Sequence, residues 1–218
     1  MTQDPLFEVP ATHVKAPEFA VPKHRVWTES KAKIIAEYLR RFVLVTKHGT
    51  YIDGFAGRLA QEESWAAKLV LEIEPPWLRQ FFLYDIDDQK VEGLRRLADQ
   101  HRDRSVRVEN ADFNIEIGRL LDSGMIGPRE AAFCLLDQKT FECHWSTVKR
   151  LASHPKAEYK IELFYFLANG WLDRALGGSR NDREQVSRWW GSDDWTFLRD
   201  LGAHERAGRF RRRFTQEL

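Results

Sequence analysis

Four aspartates each follow a short apolar run: Asp53 in Tyr-Ile-Asp-Gly-Phe-Ala-Gly, Asp85 in Phe-Phe-Leu-Tyr-Asp, Asp112 in Val-Arg-Val-Glu-Asn-Ala-Asp and Asp137 in Phe-Cys-Leu-Leu-Asp. Ionised carboxylates only accept hydrogen bonds, so a group of them lining one crevice suits hydroxyl and amine donors, such as those of a nucleoside cofactor. The four are spaced 32, 27 and 25 residues apart, and each gap has room for one strand, one helix and two loops. Such alternation predicts an α/β fold with a doubly wound, mostly parallel sheet. In these sheets ligands bind outside the carboxyl ends of the strands, which is where all four acids fall.

Each acid has its own chemistry. Asp53-Gly54-Phe55-Ala56-Gly57 reads as a tight turn after the first strand, with two glycines that permit close backbone approach to a ligand. It is not GxGxxG, which disfavours a pyrophosphate; the acid would repel a phosphate and could orient an ammonium group. The plainer reading is an ordinary glycine turn. Asp85 occupies the position where an acid accepts from ribose hydroxyls, or it serves a loop alongside Asp87 and Asp88. Asp112 beside Phe113 could take an adenine, by amine contact and stacking, or Asp112 could simply cap the next helix. After strand four, Asp137 and Gln138 are candidates to orient an acceptor amine in a transfer reaction. Phe141 could stack on a planar substrate, and Lys139 could bind an anionic one. Alternatively the whole loop only caps a helix.

The elements that would hold these residues follow from periodicity. Residues 1–26, with Pro5, Pro10, Pro17 and Pro22, read as an extended or disordered arm. Thr28 offers an N-cap for a helix to about Val45, whose apolar face is Ile34, Ile35, Tyr38, Leu39 and Phe42. Strands are expected at Thr50–Ile52, Gln80–Tyr84, Val106–Val108, Ala131–Leu136 and Ile161–Leu167. The last is a continuous apolar run that suits a buried central strand. Helices are expected at about 62–74, 88–101, 115–122 and 144–153. The sheet domain thus spans 27–170. Residues 171–218 form a helical segment rich in tryptophan (Trp171, Trp189, Trp190, Trp195), with a Gly177-Gly178-Ser179 turn and a basic end. That end is a helix, where a doubly wound sheet usually adds strands, so either the sheet is small or the chain continues.

Composition narrows the classes. Hydrophobic residues make up 43% and charged residues 31%, as in a water-soluble globular protein, and the net charge of +1 carries no signal for nucleic acid. The local cluster Arg206, Arg209, Arg211, Arg212 and Arg213 reads as a solvated helix face or a phosphate contact. Two cysteines, Cys134 and Cys143, exclude a disulfide framework; the Cys143-His144 pair could do nucleophilic or metal chemistry, but with no CxxC spacing and no other His nearby the plainer reading is an ordinary residue pair. No apolar stretch approaches the ~20 residues of a membrane span. The acidic, proline-bearing start lacks the pattern of a signal peptide, so a cytoplasmic location is expected.

The chain resembles the three-Cys-motif partner family, whose members have a Rossmann-like methyltransferase fold. The matching pieces are Trp27-Thr28-Glu29-Ser30-Lys31, Tyr51 to Gly57, Asp85-Ile86-Asp87, Ala111-Asp112-Phe113-Asn114, Leu135-Leu136-Asp137 and Trp145-Ser146-Thr147. The resemblance implies S-adenosylmethionine as cofactor. Asp53, Gly54, Phe55, Ala56 and Gly57 would wrap its methionine and ribose, Asp85 would hold the ribose hydroxyls, and Asp112 and Phe113 would contact adenine. It also implies a bacterial source and a neighbour-encoded three-Cys-motif protein as partner. Two departures stand out. Arg58-Leu59-Ala60 replaces the further glycine usual after Gly57, and Asp137-Gln138 replaces the family's Asp-Pro.

Three functions therefore remain open. One is a methyltransferase of unknown acceptor, with nucleic acid as one candidate given Phe141, Lys139 and the terminal arginines. Another is a methyltransferase-fold binding module without turnover, acting with a protein partner; the tryptophans of 171–195 either form its interface or pack a helical subdomain. The weakest is a nicotinamide enzyme, disfavoured by the 32-residue gap from Asp53 to Asp85, against the ~20 of a dinucleotide fingerprint.

Overall fold

A computed structural model describes residues 26–57, 64–139, 141–154, 160–167, 176 and 183–218, with side chains from Ser30 onward. The elements run in chain order as α1 (Val26–Thr46), β1 (Gly49–Asp53), α2 (Ala66–Leu71), β2 (Leu78–Asp85), α3 (Asp88–Gln100), β3 (Ser105–Asn110), α4 (Phe113–Asp122), β4 (Ala132–Leu136), α5 (Trp145–Ala152) and β5 (Glu162–Tyr165). The C-terminal part adds α6 (Arg183–Trp190), a 3-10 segment (Asp193–Arg199) and α7 (Ala203–Glu217). The strands form one five-stranded sheet, all parallel, in the order β3-β2-β1-β4-β5. This is the expected doubly wound α/β fold with a helical C-terminal segment.

Alternation along the strands sorts the core onto two faces, as the period of two demands. Tyr51, Phe81, Leu83, Phe133 and Leu135 pack with α1, α2 and α3, whereas Ile52, Phe82, Tyr84, Cys134 and Leu136 pack with α4, α5 and the C-terminal elements. The chain changes sides between β1 and β4. Their carboxyl ends therefore flank the topological switch point, where such sheets open a crevice.

Several expectations need correction. The buried stripe of α1 is Ala32, Ile35, Leu39 and Val43, while Ile34 and Tyr38 are 61% and 46% exposed. The doublet Ile34-Ile35 fits either of two stripes, and only packing chooses between them. β5 pairs with β4 alone among the described residues, so it is an edge strand and not a central one; its apolar run is covered on both faces by helices and rings.

The tryptophans 189, 190 and 195 are buried and do not form an exposed interface. Trp189 stacks on Phe210 with ring centroids 5.0 Å apart, which ties α6 to α7. Two of the five arginines are structural as well. Arg206 is buried and donates to the carbonyls of Leu198 and Leu201. Arg213 lies over the rings of Trp145 and Trp190 and pairs with Glu217. Arg209, Arg211 and Arg212 are exposed. The N-terminal arm up to residue 25, the start of the 62–74 helix, Arg58-Leu59-Ala60, Thr140, Trp171 and the Gly177-Gly178-Ser179 turn lie outside the described residues. Among the described residues, no helix is long and apolar enough to cross a membrane.

Candidate functional site

At the carboxyl ends of the strands the described residues enclose a cavity of about 650 Å³, lined by Asp53, Asp85, Asp112 and Asp137 together with the turn Gly54 to Gly57. The four aspartates singled out by sequence are thus brought together. Lys139 and Phe141 line the same cavity, and Gln138 does not.

The turn after β1 is threaded between two strands. Gly54 N–H donates to the Leu135 carbonyl at 3.2 Å, and Ala56 N–H donates to the Tyr84 carbonyl at 2.8 Å. Its glycines are required by close approach. A Cβ on Gly57 would stand 2.1 Å from Asp85 Oδ2, and one on Gly54 would stand 2.5 Å from the Phe113 ring. Trp65, absent from the sequence-based site, closes the turn by donating from Nε1 to the Ala56 carbonyl at 2.7 Å.

Asp85 is nearly buried. Its Oδ2 accepts from Gly57 N–H at 3.0 Å, its Oδ1 accepts from Asp87 N–H at 2.9 Å, and Lys90 Nζ lies 3.5 Å from Oδ2. A carboxylate oxygen accepts two bonds, so acceptor capacity remains. Asp112 is the N-cap of α4, its Oδ1 taking both N–H and Nδ2–H of Asn114 at 2.9 Å. Capping and cavity-lining are thus compatible for this residue. Phe113, at 1% exposure, packs its ring on Gly54 and Tyr84 and forms a buried wall, not an open stacking face. The exposed apolar surface nearby belongs instead to Ile86, which lines the cavity at 72% exposure.

Asp53 is buried, with Oδ2 accepting from Tyr51 O–H at 2.9 Å and Oδ1 from Phe55 N–H at 3.0 Å. Burial nevertheless pushes its pKa up to about 7; the two hydrogen bonds oppose that rise and the charges of Asp137 and Asp85 add to it. Asp137 is pushed above the usual carboxylate range by burial, against the opposing charge and hydrogen bond of Lys31. Lys31 Nζ lies 2.6 Å from both carboxylate oxygens. Lys31 was visible in the sequence only as part of a family-like stretch, because no pattern relates a lysine of α1 to an acid 106 positions later.

The loop after β4 is tied down from within. Gln138 is 3% exposed; its Nε2 donates to Tyr165 Oη, and its Oε1 accepts from Cys143 N–H at 2.9 Å. The amide is engaged in the core and does not face an acceptor. Phe141 is likewise buried, edge-on against Trp189. Lys139 is exposed. Asn114, which the sequence showed only within a family-like stretch, joins the loops after β3 and β4. Its Nδ2 donates to Asp112 and to the Glu142 carbonyl, while its Oδ1 accepts from His144 N–H and Thr147 O–H. Cys143 is a buried core thiol raised by desolvation, and burial lowers the pKa of His144.

Comparison of the chain with protein-family models, curated proteins and solved structures finds no match in any of the three.

Proposed function

We propose that the cavity is the cofactor site of an S-adenosylmethionine-dependent methyltransferase. The observation that carries this reading is the convergence of acids from the ends of β1 to β4 on one cavity at the switch point, against a glycine turn that is not a pyrophosphate loop. A volume of about 650 Å³ lies within the range of small-molecule sites, roughly 300–1,000 Å³. The residues fit a nucleoside. Among the described residues Asp85 Oδ1 keeps a lone pair for a hydroxyl donor, Asp112 Oδ2 has no bonding partner, and Ile86 offers apolar surface for a base. The resemblance to the three-Cys-motif partner family points the same way.

The sulfonium donor brings an already activated methyl group, so the chain's task is positioning. Asp85 holds hydroxyls, the 54–57 turn sets the distance of the backbone, and Asp137 presents carboxylate oxygens to the reacting side. Exposed Lys139, with Arg209, Arg211 and Arg212, makes a nucleic acid the first acceptor class to assay.

A second reading, a nucleoside-binding module that works with a protein partner and has no turnover, is favoured by Gln138. Its amide is engaged by Tyr165 and Cys143 and does not serve an acceptor. Calorimetric titration with S-adenosylmethionine and S-adenosylhomocysteine tests the cofactor site, with Asp85→Ala and Ile86→Ala as controls. Micromolar binding weakened in both variants is the expected result, and no binding at millimolar ligand overturns both readings. Methyl transfer to mixed DNA, RNA and protein then separates enzyme from binder.

A further inference from the structure

Lys31 reaches the site from a helix that precedes the first strand. Its ammonium lies 2.6 Å from both oxygens of Asp137 and 4.2 Å from the centroid of the Phe166 ring, just beyond β5. Both side chains of the pair are largely covered, at 15% and 16% exposure. The other titratable groups that act on this corner come from β1: Asp53 and Tyr51 each sense the charge of Asp137. Apart from Lys31, every one of these neighbours is an acid or a phenol. A carboxylate in such a place neutralises by taking up a proton unless a cation holds it charged.

We infer that Lys31 is a positioning residue of the cavity: it holds Asp137 as a carboxylate that, among the described residues, has no other partner on either oxygen, so that the group bound at the β4 end is an N–H or O–H donor and not an anion. This deepens the reading of the cavity as a ligand site and rests on it. The lysine both provides the charge and holds the carboxylate in place, because one ammonium lies 2.6 Å from both of its oxygens. A merely structural tie between α1 and the sheet would need neither.

The test uses carbon-13 NMR of the full chain labelled at aspartate side chains, with the Asp137 resonance assigned by its loss in Asp137→Asn. In Lys31→Met, Asp137 is expected to titrate at least one pH unit higher than in the wild type, and Lys31→Arg is expected to restore the wild-type curve. An unchanged curve in Lys31→Met overturns the inference. If Lys31→Met does not fold, the double variant Lys31→Met/Asp137→Asn decides. Recovery of the folded state marks the unpaired charge as the fault, whereas continued failure to fold marks Lys31 as a structural tie and overturns the inference. Cytidine at millimolar concentration, a neutral amine donor, is expected to move the wild-type resonance, and inorganic phosphate to leave it in place; the reverse pattern also overturns it. None of these readouts needs S-adenosylmethionine. A failed cofactor titration would remove the proposed reaction and leave the role of Lys31 intact.

Discussion

Replacing Asp53 by asparagine is expected to stabilise the protein, and to do so more at pH 8 than at pH 4.5. Asp53 is 2% exposed, and burial raises its pKa to about 7. A folded-state pKa above the unfolded value means that the folded chain binds the proton more tightly. Stability from this group is therefore complete below the ordinary aspartate range and is lost as pH rises to about 7. The interval between an ordinary aspartate and a pKa of about 7 is worth about 4 kcal/mol, all of it lost at pH 8, whereas only about 1 kcal/mol is lost at pH 4.5. Asparagine keeps an oxygen for Phe55 N–H, and its amide can donate to Tyr51 Oη, so both local contacts have a counterpart. Urea unfolding of both proteins at the two pH values gives the difference, because groups remote from Asp53 titrate alike and cancel, while loss of its charge eases ionisation of the coupled Asp137 and adds to the gain at high pH. A gain that grows by roughly 2–3 kcal/mol from pH 4.5 to 8 is expected. A gain equal at both pH values, or a loss at pH 8, would refute the argument that burial of a charge dominates at this residue.

Further changes probe other parts of the site and core. Gly57→Ala places a methyl 2.1 Å from Asp85 Oδ2 and 2.5 Å from Lys90 Cδ, so Asp85 must move; on the proposed reading, calorimetry is expected to show S-adenosylmethionine binding at least tenfold weaker, about 1.4 kcal/mol. Asn114→Ala removes hydrogen bonds to Asp112, Glu142, His144 and Thr147 and is expected to cost about 2–3 kcal/mol in denaturant unfolding, with faster amide exchange at His144. Trp189→Ala empties the core between Phe141, Tyr165 and Phe210, with an expected loss of about 3–5 kcal/mol in the same assay. Cys134 and Cys143 are both buried with raised pKa values, so native protein is expected to resist iodoacetamide at pH 8, and mass spectrometry would show labelling only after denaturation.

What the sequence makes legible here is what depends on near neighbours. The alternation of Tyr51-Ile52-Asp53 and of Phe133-Cys134-Leu135 fixes which side chains face which layer, and an acid at each strand end then falls on the carboxyl edge without further information. Commitment of polar groups is not local. Gln138 reads as available because its partners lie elsewhere: one is the Cys143 backbone, and the other is a tyrosine hydroxyl 27 positions along. The same holds for the arginines of α7. Arg206 and Arg213 look no different in sequence from Arg209 and Arg211, yet the first two turn inward onto carbonyls and indole rings. For the tryptophans, of the two readings open in the sequence, packing of a helical segment is the one the structure bears out. Trp189, Trp190 and Trp195 stand among charged residues, but all three are buried in one core cluster, where Phe210 of α7 packs on Trp189 and Trp190 and Ser187 of α6 accepts from Trp195.

The two ends of the cavity differ in how their polar groups are engaged, and that difference bears on what a ligand must do. At the β2 and β3 ends, Asp85 and Asp112 are held by backbone N–H groups and still carry acceptor capacity, and exposed Ile86 lines the same cavity. A nucleoside entering there displaces no protein partner. At the β4 end, Asp137 is clasped by Lys31, and the loop behind it is pinned through Gln138 and Asn114. Groups fixed in this way need no reorganisation when charge develops near them, and fixed dipoles and charges are where most catalytic stabilisation arises. On the proposed reading, an acceptor that offers an N–H or O–H to Asp137 meets a carboxylate already in place, and the cost of ordering the encounter falls on the acceptor alone. An acceptor that carried an anion to the same point would have to compete with Asp137 for Lys31, and the lysine already contacts both oxygens of the carboxylate it holds.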